Sequence, residues 1–171
     1  MIAFDLGKPC VVEIAELKTG DWVLFDFPGS PATVSVLVPD VHDGVALLLL
    51  SGPSAFNVYP VDKRYRHTGL QINVPAESLR LRIDAASAVH ANHETAYTLG
   101  NVIASSYGPT GVVVSSSEGR APSMAAFDNW WRGSVGSPSF VFTRWALSYV
   151  DESGRWVDLV RRDDAEVLPG D

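Results

Sequence analysis

The sequence predicts a mainly β protein, and three observations carry that prediction. Thr19-Gly20-Asp21-Trp22-Val23-Leu24-Phe25-Asp26-Phe27-Pro28-Gly29 sets an apolar stretch between two turn signals, which is how small barrels commonly open. Further short segments in the first hundred residues are rich in β-branched or aromatic side chains and bounded by Gly, Pro, Asp or Asn. Near the far end, residues 139–150 and 155–162 flank Asp151-Glu152-Ser153-Gly154, a four-residue hairpin loop. The expected architecture is an SH3-like small barrel or a strongly bent antiparallel sheet, with one or two short helices and a C-terminal β-hairpin.

Taken in order, the predicted strands are residues 11–17, 21–27, 32–38, 45–51, 69–74 and 79–83, spaced as a meander. Val45-Ala46-Leu47-Leu48-Leu49-Leu50 has no polar alternation, so it should be buried on both faces as a central strand. Gln71 and Asn73, then Arg80 and Arg82, alternate with Ile72, Val74, Leu79, Leu81 and Ile83, so each of these strands should keep one wet face. Residues 84–99 read as a helix: Asp84 is a good N-cap, the alanines at 85, 86, 88, 91 and 96 favour it, and Gly100 suits its end. After a strand at 111–117 and a turn around Ser115-Ser116-Ser117-Glu118-Gly119, a second helix is expected from Pro122 or Ser123 to Trp131. There Met124, Phe127 and Trp131 share a face and Gly133 can end it. In the closing hairpin Tyr149 should face Trp156 as a cross-strand aromatic pair and Trp145 should face Val160. Residues 163–171 read as an acidic, frayed tail. A barrel-like half, 1–100, and a helix-plus-hairpin half, 101–171, should pack into one domain, because Trp130, Trp131, Trp145 and Trp156 all follow the boundary.

Composition narrows the function. With 171 residues, 46% of them hydrophobic, the chain can bury a core. A net charge of −7 means that any nucleic-acid site must be a local patch. Cys10 is the only cysteine, which excludes an intrachain disulfide and a cysteine-based zinc site. The aliphatic run 45–50 is far too short to span a bilayer, and Met1-Ile2-Ala3-Phe4-Asp5 has no signal-like pattern, so a cytoplasmic location without membrane partners is expected.

Lys63-Arg64-Tyr65-Arg66-His67 is the concentrated basic run of this acidic chain, with Tyr59 nearby, and is the candidate for binding a nucleic acid or another ligand. His90, His93 and Glu94 would share one face of a helix, but the metalloprotease spacing is missing and the pair reads as satisfied or solvent-facing, so no metal is assigned. Trp130-Trp131 reads as core packing. No P-loop, dinucleotide fingerprint, nucleophile elbow or kinase signature is present, and no cofactor is expected.

Residues 18–99 resemble the MazF/PemK family of toxins. Gly20-Asp21-Trp22-Val23-Leu24-Phe25-Asp26-Phe27-Pro28-Gly29-Ser30 is similar to that family's opening strand and loop, Val34-Ser35-Val36-Leu37-Val38 to its second strand, and Val45 to Ser51 to a buried strand that finishes at a catalytic Thr or Ser. Gly69-Leu70-Gln71-Ile72-Asn73-Val74-Pro75 again has matching character. The resemblance implies an SH3-like barrel, a homodimer and cleavage of single-stranded RNA, with Ser51 near the cut phosphate and Arg64, Arg66 and His67 holding the strand. Where the family carries Arg-Pro before its second strand, this chain has Pro31-Ala32-Thr33, without a basic residue. The residues themselves favour an interaction or ligand-binding protein, its partner a protein or a small molecule. The alternative is a MazF-like ribonuclease or a catalytically decayed relative.

Overall fold

The computed structural model describes residues 10–26, 32–40, 44–62, 66–74, 76–105, 108–115, 121–151 and 153–163. Its first six strands, β1 (Cys10–Glu13), β2 (Trp22–Phe25), β3 (Thr33–Pro39), β4 (Val45–Leu49), β5 (Val58–Pro60) and β6 (Thr68–Ile72), form sheet A in the order β1-β6-β2-β3-β4-β5. The expected meander is β2 to β5, after which β6 inserts antiparallel between β1 and β2. The chain continues as β7 (Arg80–Ile83), β8 (Ala88–His90), α1 (His93–Tyr97), β9 (Val102–Ala104), β10 (Gly111–Val114), β11 (Ser123–Ala126), β12 (Arg132–Ser134), β13 (Phe140–Phe142), β14 (Trp145–Val150) and β15 (Trp156–Arg162). Sheet B is β15-β14-β7 and sheet C is β12-β11-β10-β9-β13-β8; among the described residues all pairings are antiparallel, and the three sheets do not close into a barrel.

In β4, Ala46 and Leu48 enter one core and Leu47 and Leu49 another, which is why that run carries no polar face. Ile14, placed by a 3-10 turn (Ile14–Glu16) where strand was expected to continue, closes the second core with Val23, Phe25 and Leu37. The first core lies among all three sheets. Val36 and Leu48 of sheet A meet Val102, Val112 and Val114 of sheet C and Leu147 and Leu159 of sheet B. A spine of rings runs through it: Trp22 meets Trp130 at 5.4 Å, Trp130 meets Phe127 and Phe127 meets Trp145 at 5.8 Å each, and Trp145 meets Phe56 at 6.0 Å. Buried Arg132 and Asp40, 3.9 Å apart, add a polar tie between β12 and the end of β3.

The helix expected over 84–99 is broken into a 3-10 turn, the short strand β8 and the five-residue helix α1. Asp84 does cap, accepting from the Ala86 amide at 2.9 Å, but it caps a single 3-10 turn (Ala85–Ser87) before β8 begins. β7 pairs with β14 and β8 with β13, so the segment is one arm of an antiparallel ribbon that bends from sheet B into sheet C. Arg144 holds the bend: its carbonyl accepts from the Asp84 amide at 3.1 Å, its amide donates to Ser87 Oγ at 3.1 Å, and its Nη2 lies 2.8 Å from Asp84 Oδ2. Cross-strand pairing outweighs alanine propensity, which is only tenths of a kcal/mol per residue on the order-of-magnitude scale. Helix survives only in α1, started by an Asn92–Thr95 capping box, and Gly100 follows with φ +79°.

In place of the second expected helix stand the strand β11 and a turn at residues 127–129. Met124 and Ala126 face the core beneath α1 while Ala125 faces the central core, a period of two that the helical spacing of Met124, Phe127 and Trp131 concealed. Trp130 packs in the core as expected. Trp131 does not: it is exposed, its ring lying against Gly133.

The closing hairpin forms, with a different register. Residues 139–150 are two strands in different sheets, parted at the Arg144 corner, and both are interior as expected. Val150 faces Trp156 and Tyr149 faces Val157, because the Asp151 carboxylate accepts from the Ser153 and Arg155 amides, at 2.9 Å each, and draws Arg155 into the loop. A bulge opposite Leu147 and Ser148 shifts the register again, so Trp145 faces Arg162 and Leu147 faces Val160. Trp156 consequently does not pair with Tyr149 and is 54% exposed. The acidic tail past Asp163 lies outside the described residues.

Candidate functional site

Of the basic run, Lys63, Arg64 and Tyr65 lie outside the described residues. Arg66 is exposed, with Nη1 3.6 Å from Glu13 Oε1, and the His67 ring stands edge-on to Phe25 at 6.1 Å. Tyr59 is on the edge strand β5, four strands from β6, or about 19 Å at ordinary strand spacing. Ser51 follows β4, and its Oγ accepts from the Val34 amide at 2.9 Å. Arg66, His67 and Ser51 occupy one end of sheet A, but β2 and β3 intervene, a separation of about 14 Å. His90 lies in edge strand β8 opposite Phe140, whereas His93 starts α1 and rests on Tyr97 at 5.0 Å. The turn at Ala91-Asn92 removes the helical spacing that would have brought His90, His93 and Glu94 together. Among the described residues no group of three or more His, Cys, Asp or Glu side chains is placed to hold a metal ion.

Pairing in sheet B assembles a second cationic face from residues far apart in sequence. Side chains alternate across each strand, and Trp145, Leu147 and Tyr149 of β14 point into the core. Ala146 and Ser148 therefore face outward. Ala146 lies between Arg82 of β7 and Arg161 of β15, and Ser148 between Arg80 and Asp158. The bulge is decisive: by making both Leu159 and Val160 buried, it returns Arg161 to the face that Asp158 already occupies. Trp156, two residues before Asp158, shares that face. The result is a shallow cleft of about 230 Å³, with Arg82, Arg144 and Arg161 among its walls together with Asp84, Asp158 and Asp163.

Two of these arginines converge on one carboxylate. Arg82 Nη1 reaches Asp158 Oδ1 at 3.5 Å and Arg161 Nη1 reaches Oδ2 at 3.8 Å, while Ser148 Oγ donates to Oδ1 at 2.5 Å. The side chains of Arg82 and Arg161 remain 61% and 60% exposed. Exposed pairs of this kind are weak, and Arg161 Nε also donates to Asp163 Oδ1 at 2.5 Å, so the two guanidiniums are matched by two carboxylates but carry more donors than these contacts use. A hydrogen bond to Asp163 raises the pKa of Arg161 above its ordinary value. Arg162, on the inner face, behaves differently: it donates to the Leu99 carbonyl at 2.6 Å, lies 5.5 Å from the centre of the Phe56 ring, and burial lowers its pKa.

Reading along the chain favours contiguous runs, so the cluster at 63–67 was conspicuous and this one was not. The usable signal was the wet face of Arg80 and Arg82 together with Arg161 in the partner hairpin. Comparison with protein families, with curated proteins and with solved structures found no match to this chain.

Proposed function

We propose that this protein is a binding protein and that its ligand is an anion seated on the outer face of sheet B. The observation that carries the reading is the convergence of Arg82 and Arg161 on the two oxygens of Asp158. Asp158 marks the point between the strands where negative charge is stabilised from both sides. Each guanidinium carries five donors in a planar fork suited to phosphate or carboxylate oxygens, and the small Ala146 leaves the floor between them low. Phosphate is the better match, because it offers more acceptor oxygens than a carboxylate.

Calorimetric titration with inorganic tripolyphosphate tests this. Saturable binding that weakens between about 50 and 200 mM salt is expected, and Arg82→Ala or Arg161→Ala should each weaken it at least about tenfold, since a hydrogen bond to a charged group contributes about 1.5–3 kcal/mol. Absence of saturable binding, or binding indifferent to both substitutions, refutes the reading. A second reading, cleavage of single-stranded RNA, rests on Ser51, Arg66 and His67 lying toward the same end of sheet A, with β2 and β3 between them. It requires cleavage that Ser51→Ala abolishes.

A further inference from the structure

We infer that the anion bound on sheet B is part of a mononucleotide, whose base stacks on Trp156 while its phosphates lie between Arg82 and Arg161. The inference rests on the reading of that face as an anion site and adds the chemistry of the rest of the ligand. Trp156 is large, apolar and 54% exposed. An exposed tryptophan beside an arginine pair is what a ligand with both a ring and a charge requires: the ring face offers stacking and the guanidiniums offer bidentate contacts.

The distances fit a small ligand. Trp156 and Asp158 are two residues apart on one face, about 6–7 Å along the strand, and Asp158 is where Arg82 and Arg161 converge. Val150, half-buried opposite Trp156, closes the apolar side. On the far flank Arg80 is occupied, its Nη1 donating to the Glu77 and Leu79 carbonyls at 2.7 and 2.8 Å. Of the arginines that point outward from β7 and β15, Arg82 and Arg161 meet at the single carboxylate of Asp158, on the face that Trp156 shares. A long strand would need a succession of such spots, whereas a single nucleotide needs one.

Binding of ATP, inorganic tripolyphosphate and adenosine is to be compared by calorimetry on the intact chain, with quenching of tryptophan fluorescence as a second readout. ATP should bind about 5- to 150-fold more tightly than tripolyphosphate, the range that one stacked base adds. Trp156→Ala should erase that gap and leave tripolyphosphate binding unchanged. Trp156→Phe should keep part of it. Because Trp156 is exposed, the variants should fold, and circular dichroism checks this. Equal affinities for ATP and tripolyphosphate, or a gap that survives Trp156→Ala, overturn the inference while the anion site stands; binding of none of the three refutes the anion site itself. A single-stranded oligonucleotide that binds far more tightly than ATP, with a salt dependence of several phosphates, replaces the mononucleotide with a polymer.

Discussion

Substituting Gly100 by Ala probes how the hairpin is fastened to the rest of the molecule. Gly100 adopts φ +79°, and a Cβ there would collide with Arg162 Nη1 and with the Phe56 ring. Its carbonyl also accepts from Trp145 Nε1 at 2.8 Å, so the backbone cannot easily move away. The left-handed conformation costs an L-residue about 1–2 kcal/mol, and forcing a methyl into filled space adds about 1–3 kcal/mol, for a total of about 2–5 kcal/mol. Gly154 separates the two contributions. It has the same φ, +79°, but nothing lies within 4 Å of where its Cβ would stand, so Gly154→Ala should cost only the conformational part, about 1–2 kcal/mol. Urea denaturation followed by circular dichroism, read as a shift in midpoint at constant slope, measures both. If the two substitutions cost the same within about 0.5 kcal/mol, the packing of Arg162 and Phe56 against Gly100 has been misjudged.

Trp156→Ala should change stability by less than about 0.5 kcal/mol, as surface substitutions do, whereas Trp145→Ala, which empties the ring spine, should cost about 3–5 kcal/mol; comparable losses would contradict the observed register. Asp151 is held down to about 2 from 3.8, chiefly by the Ser153 hydroxyl and then by the Arg155 amide. Because its folded value lies below the unfolded one, its contribution is present above pH 4 and fades as pH falls from about 4 towards about 2. Carboxyl titration by NMR should place it near 2, and Asp151→Asn should flatten the pH dependence of stability in that window; a midpoint near 4 contradicts the loop geometry.

Strand content was legible because it is written in local patterns. Residues 21–27, 32–38 and 45–51 carry their own turn signals, and the four leucines ending at Leu50 announced burial on two faces. Residues 84–99 were legible only at 93–97, where the expected helix forms as α1. Asp84, the alanines and Gly100 satisfy helix chemistry locally, and pairing with residues 140–142 makes 88–90 a strand instead. The hairpin was half legible: its two strands were evident, but the register depended on a carboxylate that enlarges the loop and on a bulge at Leu159, which appears in the sequence only as two adjacent apolar residues. The candidate site suffered from the same blindness. Arg82 and Arg161 are seventy-nine positions apart (161 − 82), and what joins them is hydrogen-bonding between strands.

The two cores of sheet A have different histories during synthesis. The one around Ile14, Leu37 and Leu49 takes its apolar residues from between Ile14 and Val61, and β6, which pairs with both β1 and β2, completes its frame, so it can form once residue 72 has left the ribosome. The opposite side of the same strands, with Val36, Leu48 and Trp22, waits for Trp130 and Trp145, roughly a hundred residues later. Contacts of such long sequence separation form slowly, since the loop must close before they reward it. Early in translation sheet A thus carries one finished side and one bare apolar side, and chaperone affinity of the nascent chain should end when the rings of Trp130 and Trp145 arrive.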